Sequence, residues 1–351
     1  MSTNGGSIGG AHSLHSSLPT RDPVTATPAA TGLSRGRLNL LPPPKWHNAA
    51  EVVLKLMAFS AIAAVILIFV FITKEALPLL WSHEVHEEVT LTQMWTAQLW
   101  PGYDEAVHIW QPVSDIPKFG IWPLLVGSLK VAFVSMAIGV PLAVLAALYV
   151  SQFARPRVRE IVKPAIEMLA AVPSVVLGFF ALIVMASVFQ DWLQLESRLN
   201  ALVAGVALSF ALIPVVFTIS EEAFRAVPRS YVEASTALGA ARWQTVVRVI
   251  LPAASPGIAA GVALGLGRAV GETMIVLMAS GNAAITNLSL VDSVRTIPAT
   301  IASELAEVVF GGGHYTVLFF LGALLFCITG VVNFSGDLVI QRMKRKLGVA
   351  A

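Results

Sequence analysis

Charge is scarce in this chain. Asp, Glu, Lys and Arg make up 13% of the 351 residues, whereas hydrophobic residues make up 56%. A soluble domain carries about twice that share of charge. A water-facing surface of this composition would aggregate, so the solvent this chain suits is a lipid bilayer. The net charge of +2 is too small to hold a nucleic acid through its phosphates. Cysteine is nearly absent too: Cys327 is the single one, which excludes an intrachain disulfide, and its apolar setting points to packing. No G-x-x-x-x-G-K-[ST] run occurs, so the chain has no loop of its own to cradle ATP phosphates. His83-Glu-Val-His86-Glu-Glu lacks the H-E-x-x-H spacing that puts two His on one helix face, and no metal is expected there.

What is present is length of apolar sequence. A bilayer core of about 30 Å needs about 20 apolar helical residues, and six windows qualify, at approximately 52–72, 122–150, 167–190, 199–220, 254–280 and 315–338. The second carries Lys130, near enough to one end to snorkel. Pro141, Pro173, Pro214 and Pro256 fall within or beside spans, where kinks are tolerated if neighbours satisfy the freed carbonyls. Residues 1–48, rich in Gly, Ser, Thr, Ala and Pro, cannot bury a core and read as a disordered tail, not a signal peptide. The fold class is therefore all-α integral membrane, with a tail over 1–48 and a six-helix transmembrane domain over 49–351.

Lys and Arg orient the spans. Arg155, Arg157, Arg159 and Lys163 follow span two; Arg225, Arg229, Arg242 and Arg248 follow span four; Arg342, Lys344, Arg345 and Lys346 follow span six. Arg21, Arg35, Arg37 and Lys45 of the tail join them on one side. The 73–120 loop on the other side has Lys74 and Lys118 among seven carboxylates. Both termini are thus expected in the cytoplasm. Trp81, Trp95, Trp100, Trp110 and Trp122 allow two readings of that external loop, an interfacial aromatic belt or a small outer cap that meets a partner.

Two polar features interrupt the apolar pattern. The first is Glu233-Ala234-Ser235-Thr-Ala-Leu-Gly239, nine residues, then Val249-Ile-Leu251-Pro252. Helix signals place one helix from Glu221 to Leu238, ended by Gly239 in the left-handed conformation, and a second from Arg242, closed by Pro252. The stretch resembles the EAA loop of ABC importer permeases, E-A-A-x-x-x-G-x9-I-x-L-P, with Ser235 in place of one Ala and Val249 in place of Ile. The second feature is Gly265-Leu-Gly267-Arg268-Ala-Val-Gly271-Glu272-Thr273-Met274. Arg268 and Glu272 are i and i+4 near the middle of the fifth window, on one helix face if the helix continues. A charge there costs about 2.5–3.5 kcal/mol on insertion scales. Either the two neutralise each other and lock helices together, or Arg268 meets an anion in transit, its planar guanidinium offering paired donors to an oxyanion, with Glu272 holding it in position.

Further motifs agree: Trp110-x-Pro112, Phe119-Gly120-x-x-Pro123-x-x-x-Gly127-Ser128-Leu129, Lys163-Pro164-x-Ile166-Glu167, Val172-Pro173-Ser174-Val175-Val176-x-Gly178, and Leu251-Pro252-x-x-x-Pro256-Gly257. Over about residues 52–346 the chain resembles the PstC-type permease subunits of bacterial phosphate ABC importers. Met274 after the Arg-Ala-Val-Gly-Glu-Thr core, with Ser280-Gly281-Asn282 beyond, separates it from the PstA type, which usually continues Ala-Pro; Leu177 stands where an aromatic is more usual. The resemblance implies a MetI-like, type I ABC importer permease fold in the bacterial inner membrane. It also implies a second permease subunit of PstA type, two copies of an ATPase that dock on the 221–252 loop, and an external phosphate-binding protein. ATP and Mg would sit on the ATPase, with no cofactor or catalytic residue on this chain. Arg268, Glu272, Thr273 and Ser174 would belong to the substrate pathway, with Asn282 a further candidate. Glu233, Ala234, Ser235, Gly239, Leu251 and Pro252 would belong to the ATPase coupling surface. The rival readings are a permease for sulfate, molybdate or tungstate and, from another class, a membrane enzyme acting on lipids, for which Ser174 has no evident base.

Overall fold

A computed structural model describes residues 45–346. The chain divides into two units between Phe59 and Ser60. In the first, the described residues are the opening of helix α1 (Lys45–Ala76), where Glu51 and Lys55 pair one turn apart at 2.7 Å. That helix begins inside the segment assigned to the 1–48 tail; the remainder of the tail lies outside the described residues.

In the second unit, α1 gives way to α2 (Pro78–Trp81), α3 (His83–Glu88) and α4 (Leu91–Trp95), then to a minimal hairpin of β1 (Trp110–Gln111) and β2 (Lys118–Phe119). The 73–120 loop is therefore a folded cap: Leu79, Val85, Met94, Trp110 and Phe119 are buried with Ile297, Leu318 and Leu321. Its Trp residues divide by burial. Trp81 stays 65% exposed, as an interfacial residue would, whereas Trp110 is buried and its indole N–H donates to Glu304 at 3.1 Å. The same carboxylate takes Arg295 at 2.6 Å and His314 at 2.9 Å, tying the hairpin to the last span. His108 leans on the Trp122 ring, and burial holds its imidazole below the usual histidine range.

After the cap come α5 (Trp122–Phe153), α6 (Pro156–Ala170), α7 (Ser174–Leu193), α8 (Ala201–Arg225), α9 (Arg229–Ala237), α10 (Arg242–Gly271), α11 (Met274–Ala279), α12 (Ile297–Glu304) and α13 (Gly313–Lys346). Among the described residues six helices are long and apolar enough to span a membrane, five of these and the stretch Ala50–Trp81. Helix α8 is central, packed on α5 and α10. Gly205 and Gly257 make those contacts possible, since a Cβ on either would stand 2.5 Å from Val134 and 2.4 Å from Ala223.

Two details depart from the hydropathy pattern. The third window, expected from residue 167, begins at Ser174. Pro173 ends the preceding turn, and the charged, amphipathic α6, with no buried residue, is a separate helix. Lys130 does not snorkel. It is only 6% exposed, and its Nζ donates to Asn287 Oδ1 at 2.7 Å and Ser289 O at 2.8 Å. The 280–296 loop folds back over α5 to supply those acceptors. Its Leu290 and Asp292 carbonyls also accept from Leu202 N and Ala201 N, the unpaired donors at the start of α8.

Candidate functional site

The fifth window, expected to run unbroken over 254–280, is divided. Helix α10 ends at Gly271, Glu272 turns to an extended conformation (φ −69°, ψ 130°), and α11 starts at Met274. This removes the helical i, i+4 geometry expected of Arg268 and Glu272, and the two form no salt bridge. The Glu272 Oε1 instead accepts from Met274 N at 3.1 Å and Ile275 N at 3.4 Å. The free N–H groups at the start of α11 have no helical partner of their own, so the break that separates the carboxylate from Arg268 also provides its new partners. Arg268 is exposed in the last turn of α10, its guanidinium with no hydrogen bond or ion pair among the described residues. A helix C-terminus favours a cation there by about 0.3–1 kcal/mol.

The break borders a cavity of about 480 Å³ lined by Gly271, Thr273, Pro298, Ile301 and Leu325, among others. A Cβ at Gly271 would meet nothing within 4 Å, so the backbone there is open to a visiting group. Thr273 Oγ1 donates to Gly271 O at 3.3 Å. Ser174 opens α7, which packs on α11: a Cβ at Gly178, one turn later, would lie 3.0 Å from both Met274 O and Met278 Sδ. The Ser174 hydroxyl makes no hydrogen bond among the described residues. Asn282 has gone to local structure, at φ 53° with its Nδ2 donating to Leu277 O at 2.7 Å. Arg268, Glu272 and Thr273 are thus brought to one helix break, with Ser174 on the helix packed beside it.

At the other end of α10 the expected Glu221–Leu238 helix is two. Glu221 lies near the end of α8, and α9 opens only after Pro228, since the residue before a proline is driven out of the helical region. Gly239 behaves as its position requires. With φ +80° it closes α9 through Gly239 N to Thr236 O at 2.9 Å and Ala240 N to Ser235 O at 3.2 Å, a Schellman ending. Ser235 Oγ meets Thr245 Oγ1 at 2.9 Å, fastening α9 to α10. Glu233 and Ala234 are exposed. Pro252 does not close a short helix: α10 runs on from Arg242 through a π-helical turn at Val246–Ile250. The widened turn makes room for a ring that would otherwise strike the carbonyl four residues back. Leu251 and Pro252 accordingly lie in the wall of α10.

Two groups escaped the motif reading. Arg242 donates to the Gln152 carbonyl and lies 5.6 Å from the centre of the Phe153 ring, fixing the α9–α10 turn to the end of α5. Glu221, fully buried, accepts from Lys163 of α6 at 3.1 Å and faces Arg225 at 3.6 Å. A buried carboxylate needs such partners; the i, i+4 spacing marks Arg225, yet nothing in the local sequence marks Lys163.

A bundle of spanning helices, with a lone cation at an interrupted helix and a polar helix–Gly–helix turn between two spans, is the architecture of a transport permease. A family model, "Binding-protein-dependent transport system inner membrane component", matches residues 139–347. The chain belongs to that family and is a multi-pass inner-membrane protein. It is 32% identical over 258 residues to the phosphate transport system permease protein PstC of Pasteurella multocida, covering 68% of this chain and 79% of the relative. A probable ABC transporter permease protein, YqgH of Bacillus subtilis, is 32% identical over 216 residues, covering 62% of this chain and 70% of the relative. Among solved structures, a bacterial ABC transporter that imports the acidic polysaccharide alginate matches with a TM-score of 0.53 at 14% identity, over 84% of this chain and 99% of that one. The fold is that of ABC importer permeases.

Proposed function

We propose that the chain is one of two permease subunits of an ATP-driven phosphate importer, paired with a subunit of PstA type. In this reading two copies of a separate ATPase dock on the α9–α10 turn, and an external binding protein delivers phosphate on the side of the cap. Both termini lie in the cytoplasm, as the clusters of Arg and Lys require. The substrate rests on the similarity to phosphate permeases. The observation that carries the mechanism is Arg268, a guanidinium without a counter-ion among the described residues, at a helix break.

Because Glu272 is occupied with the N–H groups of α11, Arg268 keeps its donors for an oxyanion. Gly271 leaves the backbone beside it open, and Thr273 can add a hydroxyl. Movement of α9 passes through the Ser235–Thr245 contact into α10, which bears Arg268 at its far end. Each state of the permease is then selected by its affinity for one state of the ATPase pair.

Uptake into proteoliposomes holding this chain, its partner permease, the ATPase and the binding protein tests the reading. Wild type should import phosphate with ATP. Arg268→Gln should lose on the order of ten- to a hundredfold, since a hydrogen bond to a charged group is worth about 1.5–3 kcal/mol, while the complex assembles normally. Uptake by the intact mutant complex at the wild-type rate would make Arg268 a structural residue. If sulfate, molybdate or tungstate competes better than phosphate, the substrate is that oxyanion.

A further inference from the structure

The transport reading leaves unused an apolar groove of about 750 Å³ between α10 and α13, walled by residues such as Ile258, Val262, Val332 and Val339. Its Ala259, Val262 and Leu266 lie on the far side of α10 from Arg268, at 100° per residue. The groove therefore does not belong to the site at the helix break. Ser255 and Ser335 are its polar side chains, and both hydroxyls are spent on their own helices, donating to Pro252 O at 2.7 Å and Val331 O at 2.6 Å. Nothing polar inside it seeks a partner, so its occupant is hydrocarbon. From Val332 to Met343 the wall is about 16 Å long at 1.5 Å per residue, close to half of a bilayer core of about 30 Å. It runs from inside the sixth window to the cationic end of α13.

The charge at its mouth narrows the choice. Arg342 and Lys346 stand three and seven residues after Val339, on the groove side of α13, and Arg248 stands one turn before Leu251 and Pro252 on α10. All three are exposed, and none has an ion pair or hydrogen bond among the described residues. Asp337, the nearest carboxylate in sequence on α13, falls on the far side of that helix from Val339. An apolar slot that runs from the membrane interior to its surface, closed by three cations from both of its walls, complements a lipid with a negative headgroup.

We infer that this groove holds an acyl chain of an anionic phospholipid from the leaflet at the C-terminal end of α13, with its phosphate between Arg248, Arg342 and Lys346. Because Leu251 and Pro252 form part of the wall, the lipid seats against the same stretch of α10 that bears the α9–α10 turn.

The test uses the assembled transporter in phosphatidylcholine nanodiscs doped with phosphatidylglycerol carrying a diazirine midway along one acyl chain, beside a matching phosphatidylcholine probe. After irradiation, the phosphatidylglycerol probe should label the peptides 251–266 and 331–343 several-fold more than the phosphatidylcholine probe. The combined Arg248→Gln, Arg342→Gln and Lys346→Gln variant should bring that label down to the phosphatidylcholine level. Equal labelling by the two probes in wild type overturns the inference, as does an undiminished preference in the variant. Absence of label from both peptides with either probe overturns it too, and assigns the groove to a covering helix of the partner permease. If the variant does not assemble, the headgroup preference of the wild-type complex decides alone.

Discussion

Glu272 shows how one backbone break reassigns a charge. As the fourth residue after an arginine it has the spacing of a helical ion pair, and a continuous helix would make it one. With the helix ending at Gly271, its Oε1 caps α11 through Met274 N and Ile275 N. The two roles separate by mutation. Glu272→Gln keeps an acceptor oxygen for the cap, whereas Glu272→Ala keeps none, at a cost of about 0.5–2 kcal/mol. Thermal unfolding in detergent should therefore show Glu272→Gln melting close to wild type and Glu272→Ala clearly lower. Equal lowering by both substitutions would return the carboxylate to service as a counter-charge, since an amide replaces a cap acceptor but not a negative charge.

At the scale of elements, the α9–α10 turn depends on one backbone conformation. Gly239 sits at φ +80°, and a Cβ there would touch nothing within 4 Å, so a substitution meets no steric obstacle and costs only the left-handed conformation. That cost is about 1–2 kcal/mol for ordinary L-residues and less for Asn. Gly239→Val should loosen the end of α9 and raise hydrogen exchange at Ala240 N, whereas Gly239→Asn should leave both near wild type. Indistinguishable exchange in Val and Asn variants would mean that the Ser235–Thr245 contact, not the glycine, sets the turn. The same region shows what sequence made legible. Gly239 as a stop and the six spans could be read because helix endings and apolar length are local properties. The split at Pro228 and the uninterrupted passage through Pro252 could not: each depends on whether a proline falls where the chain already turns or where a π-helical turn makes room for it.

For the whole molecule, legibility fails where distant segments meet. Lys130 looked like a snorkelling residue because its partners Asn287 and Ser289 come from a loop more than 150 positions away, and the buried Glu221 depends on Lys163 from another helix in the same way. The cap was open between two readings for that reason as well. Only the meeting of Trp110 with Glu304 decides that this tryptophan is core. Motifs named the two candidate sites at the ends of α10, whereas the contacts that hold those ends to the bundle are long-range and have no signature.

In the proposed assembly the α9–α10 turn is also where the molecule presents itself to the ATPase. Opposite the cap, at the end of α5 that carries Phe153, Tyr231, Leu238 and Trp243 are 51%, 89% and 58% exposed. A polar turn between spans faces water, and large apolar side chains gathered there mark a protein-binding surface. Leu238 supports no contact that the bundle needs, because its side chain is almost wholly in solvent. Leu238→Asp should therefore leave the yield in membranes and the melting temperature of this chain at wild-type values. Docked against an ATPase it would bury a new charge in an apolar contact, and hot-spot positions of that kind cost at least about 2 kcal/mol, on the order of thirtyfold in affinity. Pull-down of the ATPase by the tagged permease should fall by that order and ATP-dependent uptake should fall with it. Undiminished capture by the Asp variant would move the docking surface away from the end of α9, to the exposed Glu233 and Ala234 face of the same helix.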